Sequence, residues 1–331
     1  MTVVERYVPE IVIGFVAPAG TDFDRVTGLV SDRLEHYGYR SIRIRLSEFL
    51  LHRAQEARRI PANPAQDYGT RTKALQAEGN LFRQDSSRND ALAFVAVNEI
   101  VAARTSKNGA IEDPATSPLK LTAYLLWSFK TPEEIATIRA IYGSRFFGIS
   151  VHTPRQERVD RLASRISEGR HHIGSTSASD RTIAEEIVAA DEREELDGEG
   201  DPGQNVRNAY PLADFFVDPE SVNARPESIE RAVDIIFGHP FLTPTRDEFG
   251  MFVANAAALR SAELGRQVGA AITNDLGDIL ATGMNEVPAA GGGQYGTDTT
   301  ADQREFVKGF DSSDRLREVL ARQIEEELRV Q

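Results

Sequence analysis

The chain has 331 residues, 40% of them hydrophobic and 27% charged, which is typical of a globular protein of about two domains. No stretch approaches the ~20 apolar residues of a membrane helix, and the N-terminus lacks a secretory pattern. The absence of cysteine excludes disulfides and thiolate-bound zinc. Together these features favour a cytoplasmic protein with no membrane partner. The formal net charge of −13 disfavours nucleic-acid binding through bulk charge, and much of the acidic excess lies in residues 180–201, which hold ten acids.

Strand and helix patterns alternate through the first 218 residues. A short, continuous, β-branched run predicts a buried parallel strand at 10–16, and further strands are predicted at 39–46, 119–127, 146–152 and 214–218. The spacing of apolar residues predicts helices at 22–37, over most of 66–105, from Thr131 in a capping box, and at 155–166. This alternation predicts an α/β domain, residues 1–238, with helices on both faces of a five-stranded parallel sheet.

The pattern changes at residues 238–245 (GHPFLTPT), where two prolines predict a domain boundary. A second capping box at 245–248 begins a helix expected to reach about Leu264. A hairpin of strands 268–273 and 278–287 and a final helix over 313–330 are predicted to follow.

The first strand, loop and helix have the arrangement of a phosphate-binding loop, in which backbone N–H groups and a helix N-terminus face a phosphate. The usual signature, G-x-x-x-x-G-K-[ST], ends in a lysine for the phosphates and a hydroxyl for Mg²⁺. Here Thr21 and Asp22 take those two positions. We assign Gly14, Gly20, Thr21 and Asp22 to a candidate nucleotide site. Binding without efficient hydrolysis, a purely structural turn and a working phosphotransferase all remain open, and the missing lysine disfavours the last.

Four arginines at helical spacing follow the fourth strand. They are Arg155, Arg158, Arg161 and Arg165. Several such guanidinium groups can bind one phosphate-bearing ligand, so Arg155 and Arg158 join the candidate nucleotide site, although a solvated helix surface explains the same spacing. No histidine stands in a metal-binding motif, and the adjacent His171 and His172 are not expected to share a metal.

Near the C-terminus, a helix and two predicted strands end in Gly283-Met-Asn-Glu-Val-Pro288 (G-x-N-x-x-P). Taken together, three segments resemble the anti-phage dCTP deaminases of bacterial defence. These segments are the first strand with Gly20-Thr21-Asp22, GQNVRNAYPLADFFVD at 203–218, and RSAELGRQVGAAIT with GMNEVPAAGGGQY within 260–295. The resemblance implies a P-loop, nucleotide-kinase-like domain (1–238) fused to a cytidine deaminase-like α/β domain (246–331). It also implies conversion of deoxycytidine to deoxyuridine nucleotides, with Asn285 as a substrate-binding residue.

The sequence departs from that family at its metal motifs. In that family the histidine of H-x-E and the cysteines of P-C-x-x-C hold the zinc, and the Glu of H-x-E moves the proton, but here no histidine follows His239 and there is no cysteine. We therefore expect a chain that stops before the zinc motifs, as a fragment, a split gene or a short form, with no metal and no catalytic residue for deamination. It would be the nucleotide-sensing part, binding dCTP, dCMP or ATP.

Three further expectations follow for partners and activity. With only a helix and a hairpin, the second domain would expose apolar surface unless the final helix or another chain covers it. The resemblance therefore implies a homo-oligomer or assembly with an intact deaminase, or a regulatory RNA as partner. A nucleotide-kinase-like phosphotransferase and a non-catalytic interaction module are the alternative functions.

Overall fold

A computed structural model describes residues 9–60, 68–108, 113, 116–170, 176–192, 204–218 and 227–330. The chain forms two compact units, Met1–Pro240 and Phe241–Gln331. The histidine pair at 171–172 and the acidic residues from 193 to 203 lie outside the described residues. Within the described ranges, no helix combines the length and the apolar character needed to cross a bilayer.

The first unit is built on a five-stranded sheet in which every neighbouring pair is parallel. The strands are β1 (Ile11–Val16), β2 (Arg40–Arg45), β3 (Thr122–Phe129), β4 (Phe146–Val151) and β5 (Phe215–Val217), in the order β2-β3-β1-β4-β5. This confirms the predicted α/β fold. From β1 the chain goes to β2 on one side, and from β4 to β5 on the other. A crevice for ligands is therefore expected beside the carboxyl ends of β1 and β4.

Helices cover both faces of this sheet. They are α1 (Phe23–His36), α2 (Leu46–Glu56), α3 (Tyr68–Ser86), α4 (Ala91–Asn108), α5 (Pro132–Tyr142), α6 (Arg155–Gly169), α7 (Ala178–Glu192), α8 (Val206–Ala209) and α9 (Glu227–Ile236). One apolar cluster joins the sheet to α2, α4 and α5, and a second joins it to α1 and α9. A third cluster packs α6 against α7.

Two elements of this unit differ from the sequence prediction. The helix α2, which begins directly after β2, is absent from the sequence prediction; its buried residues are Leu46, Leu50 and Ala54. The strand β3 ends at Phe129, two residues later than predicted, because the Phe129 ring belongs in the core beside β1. The predicted capping box at Thr131 is confirmed, with both of its hydrogen bonds present.

The second unit contains a helix, a hairpin and two further helices. They are α10 (Arg246–Ala258), β6 (Gly269–Thr273), β7 (Ile279–Met284), α11 (Glu305–Lys308) and α12 (Ser312–Val330). The capping box at Thr245 is confirmed. The prediction that α10 reaches Leu264 is wrong, because hydrogen bonds from Ser261 Oγ to Asn285 Oδ1 (2.9 Å) and from Ala262 N to Glu286 Oε2 (2.7 Å) hold the following residues in a loop.

This unit has almost no core of its own. Among its described residues, the only buried hydrophobic side chains are those of Ala254 and Ala257. The expectation that α12 covers the apolar surface is wrong, because its own stripe is exposed, from 48% at Leu320 to 67% at Leu328, and Ile272 and Leu280 of the hairpin are more than 60% exposed.

Candidate nucleotide site

The loop between β1 and α1, residues 17–22, packs directly on helix α6. Gly20 adopts a φ of +91°, and a Cβ atom at this position would lie 2.8 Å from the carbonyl oxygen of Arg158. Only glycine therefore fits both the left-handed conformation and the close approach. Asp22 caps α1, because its side chain accepts a hydrogen bond from Arg25 N at 3.2 Å. The loop is fixed at both ends.

Two arginines of α6 support this loop through its backbone. Arg161 Nη1 donates to the carbonyl oxygen of Gly20 at 2.9 Å, and Arg158 Nη1 donates to the carbonyl oxygen of Ala19 at 3.5 Å. Arg158 is almost fully buried. Because their donors are directed at carbonyl oxygens, these guanidinium groups hold the loop in place.

A carboxylate lies where the loop offers its backbone donor. The N–H of Ala19 donates to Asp191 Oδ2 at 2.6 Å, and Lys130 Nζ donates to Asp191 Oδ1 at 2.9 Å. Lys130 Nζ also donates to the carbonyl oxygen of Ala17 at 2.8 Å, so a lysine from the residue after β3 reaches the loop. Asp191, on α7, is only 1% exposed. An acid of the chain itself therefore occupies an anion position with two donors.

A cavity of about 310 Å³ opens beside the loop and the Lys130–Asp191 pair. Cationic and aromatic side chains line much of it: Arg45, Arg71, Arg83, Lys130 and Arg165 with Phe23, Tyr68 and Trp127. Arg45 is already paired with Asp24 at 2.8 Å, and Arg165 Nη1 donates to Tyr68 Oη at 3.3 Å. The side chain of Arg71 has no ion pair or hydrogen bond within the described ranges. The cavity combines positive charge with ring faces, which suits a ligand with a phosphate and a base.

Two polar atoms beside this cavity lack hydrogen-bond partners among the described residues. They are Thr21 Oγ1 and Arg83 Nη1. Arg83 is fully buried, and its Nη2 donates to Glu134 Oε1 at 2.6 Å. Burial raises the pKa of Glu134, although the positive charge of Arg83 opposes that effect. Because an unsatisfied buried donor is costly, Arg83 Nη1 marks the position of a missing acceptor.

The structure places the predicted site residues in different surroundings. Gly20 and Thr21 line the cavity, and Asp22 lies beside it as the cap of α1. Gly14 lies inside β1, where a Cβ atom would collide with the rings of Phe129 and Phe146, so its smallness serves packing. Arg155 and Arg158 are not among the side chains that line the cavity. The assignment of these residues to nucleotide binding stays a prediction.

Sequence reasoning missed four side chains at this site: Arg71, Arg83, Lys130 and Asp191. Lys130 carried a usable signal, because it directly follows a buried strand, where ligands of open parallel sheets bind. Asp191 was hidden among ten acids. Nothing in the spacing of Arg71 and Arg83 distinguishes them from other helix arginines.

In the second unit, the amide of Asn285 is engaged by its own loop. Its Oδ1 accepts from Val268 N at 2.7 Å, and its Nδ2 donates to the carbonyl oxygen of Arg266 at 2.6 Å. These bonds shape the turn after β7. Contact between Asn285 and a sugar, as the deaminase resemblance implies, stays a prediction.

Comparisons with solved structures give weak matches to kinases. A gluconokinase from Sinorhizobium meliloti 1021 is 12% identical, with 75% of this chain and 98% of that chain covered and a TM-score of 0.32. A shikimate kinase from Acinetobacter baumannii, in complex with shikimate, is 12% identical, with 71% and 96% covered and a TM-score of 0.33. Such values establish neither activity nor substrate. No protein-family model and no curated protein matches the chain.

Proposed function

We propose that the Met1–Pro240 unit binds a phosphate-bearing ligand of the nucleotide class in the cavity beside the β1–α1 loop. The observation that carries this proposal is the convergence of Arg71, Arg83 and Lys130 on one cavity whose buried Arg83 Nη1 has no acceptor among the described residues. A phosphate oxygen is the acceptor that a guanidinium donor suits best.

Aromatic side chains support the nucleotide class over a bare anion. Trp127 lies at the cavity with its ring centroid 4.9 Å from that of Phe23, and Tyr68 lines another part of the wall. Such ring faces stack on bases with little sequence preference. These rings support the proposal of a ligand that carries a base as well as a phosphate.

Calorimetric titration of the full chain with ATP, dCTP and dCMP tests this proposal. We expect saturable binding of at least one nucleotide and weaker binding by Arg71→Ala. Arg139→Ala is the matched control, because Arg139 pairs with Asp214 away from the cavity lining. Absence of binding by all three nucleotides, or equal loss in both variants, would contradict the proposal.

Phosphoryl transfer is the second candidate function. It is favoured by Lys130, whose ammonium lies 2.8 Å from the loop carbonyl oxygen of Ala17 and supplies the cation that the loop itself lacks. Asp24 places a carboxylate at the cavity, where it can accept a proton from an attacking hydroxyl. The residues of this site therefore include a cation and a base.

Transfer of radiolabelled phosphate from ATP to nucleoside monophosphates distinguishes the two candidates. Turnover that Lys130→Met abolishes would support phosphoryl transfer. Nucleotide binding without any turnover would support binding and contradict phosphoryl transfer.

For the second unit, we propose that residues 246–331 correspond to the opening of a deaminase-like domain, on the sequence resemblance alone. The zinc of that family does not fit here, because the chain has no cysteine, no histidine after His239, and therefore no set of nitrogen and sulfur donors in this unit. Light scattering of the purified chain, alone and mixed with an intact deaminase of the family, tests the expected homo-oligomer or mixed assembly.

A further inference from the structure

The second unit gathers three acidic side chains at one point. One carboxylate oxygen from each of Glu263, Glu305 and Asp311 lies within 4.8 Å of the other two. Glu263 belongs to the loop after α10, Glu305 begins α11, and Asp311 precedes α12. Segments that are distant in sequence therefore bring their negative charges together.

Nothing in the described ranges neutralises this cluster. No lysine or arginine of those ranges forms an ion pair with any of the three side chains. Glu305 is buried and Glu263 and Asp311 are half-buried, so water screens the repulsion among the three charges only in part. A cation or protons at this point would relieve that repulsion.

Glu305 gives an independent sign of a missing ligand. Its side chain is only 5% exposed, and its Oε1 accepts a hydrogen bond from Ser312 N at 2.9 Å. Its Oε2 is buried and has no hydrogen-bond partner among the described residues. One oxygen of this carboxylate lies within 4.8 Å of an oxygen of each of the other two acids, so the carboxylate with the unpartnered Oε2 is part of the cluster. A buried carboxylate oxygen without a partner is the group that a metal ion satisfies.

We propose that Glu263, Glu305 and Asp311 bind a hard divalent cation of the Ca²⁺ class. Oxygen-only donor sets suit Ca²⁺ and Mg²⁺, whereas zinc prefers nitrogen and sulfur. Oxygens bound at about 2.4 Å to one Ca²⁺ lie no more than about 4.8 Å apart, so the cluster is compact enough for such an ion. Ca²⁺ accepts flexible geometry, whereas Mg²⁺ demands a near-ideal octahedron at about 2.1 Å, which three carboxylates from separate segments suit less well.

The position of the cluster gives the cation a structural effect. It lies where the loop after α10, α11 and the start of α12 meet, in a unit whose buried hydrophobic side chains, within the described ranges, are two alanines. Small units without a sufficient core depend on other cross-links, and a bound metal is one of them. Cation binding therefore holds α12 to the rest of the unit.

Calorimetric titration of the metal-stripped full chain with CaCl₂ and, separately, MgCl₂ tests the proposal. We expect saturable binding of one Ca²⁺, weaker binding of Mg²⁺, and slower amide hydrogen exchange at the start of α12 when Ca²⁺ is present. Glu305→Gln and Asp311→Asn should each lower the Ca²⁺ affinity by at least the roughly 10–100-fold that loss of an outer partner of a metal site costs. Both substitutions keep the side-chain size, and Asn at 311 still caps α12.

Glu326→Gln is the matched control, since Glu326 is an exposed acid on α12 outside the cluster. It should bind Ca²⁺ like the unmodified chain. Circular dichroism of Glu305→Gln should show unchanged helix content, because removing one of three like charges relieves repulsion. Absence of saturable Ca²⁺ binding, or Ca²⁺ binding that survives both cluster substitutions, would overturn the proposal.

Discussion

We expect the Asp191 carboxylate to compete with a ligand phosphate for the donors of Ala19 and Lys130. Asp191 accepts hydrogen bonds from Ala19 N at 2.6 Å and from Lys130 Nζ at 2.9 Å, so a ligand phosphate that uses these donors must first displace the carboxylate. Asp191→Asn keeps an acceptor oxygen and the side-chain shape but removes the negative charge.

The size of the effect follows from the bonds involved. A hydrogen bond to a charged group contributes about 1.5–3 kcal/mol. Removing the charge that competes for one such bond should therefore strengthen anion binding by about 10–100-fold. Without ligand, the variant should be less stable, because Lys130 is only 17% exposed and its charge loses its partner.

The measurement is a calorimetric titration with inorganic phosphate and then ATP, at fixed ionic strength, for the unmodified chain and Asp191→Asn. Glu185→Gln is the control, since Glu185 is a half-exposed acid on the same helix. It should change neither affinity. If Asp191→Asn binds phosphate no better than the control, the carboxylate does not occupy the anion position.

Three further predictions concern stability. Glu134→Gln should lower the free energy of unfolding of the first unit by about 3–5 kcal/mol, because it leaves the fully buried Arg83 without its counter-charge; urea unfolding measures this. Gly20→Ala should lower it by about 1–3 kcal/mol, since φ is +91° there, and should also weaken nucleotide binding in the same titration. Asp234 has a lowered pKa, because the hydrogen bonds from Arg33 and Tyr37 outweigh the opposing effect of its burial. The contribution of Asp234 to the free energy of unfolding is therefore full above the ordinary aspartate pKa and is lost as the pH falls through the lowered value. Asp234→Asn should destabilise the chain at pH 7 and should make its free energy of unfolding depend less on pH in acid.

Each of these predictions has its own contradicting outcome. Equal unfolding energies for Glu134→Gln and the exposed Glu185→Gln would show that the Arg83 charge is neutralised in another way. Wild-type stability and binding in Gly20→Ala would show that the loop moves away from α6. An acid unfolding profile that Asp234→Asn leaves unchanged would assign the pH dependence to other carboxylates.

The sheet could be predicted from the sequence more fully than the candidate nucleotide site. The strands could be predicted because their signals are local, as in the β-branched run Ile11–Val16, and both capping boxes because their four residues are adjacent. Lys130 and Asp191 are 61 positions apart in the sequence and meet only through the tertiary packing of α7 beside the β1–α1 loop. No local pattern records such a contact.

In the second unit, the sequence predicts more helix than the structure contains. Helical propensity continues through the residues after Ala258, and the prediction extended α10 accordingly. Hydrogen bonds that Ser261 and Ala262 donate to Asn285 and Glu286, more than twenty positions away, hold those residues in a loop instead. Long-range polar contacts outweighed a modest local preference.

The scarcity of enclosed aliphatic side chains in Phe241–Gln331 bears on how the whole chain responds to heat. The heat-capacity change of unfolding scales with the apolar area that becomes hydrated, and the described residues of this unit have little such area left to expose. A calorimetric scan of the full chain therefore reports almost entirely on Met1–Pro240. Events in the C-terminal unit register in spectroscopic or exchange signals specific to that unit and leave the melting endotherm nearly unaltered.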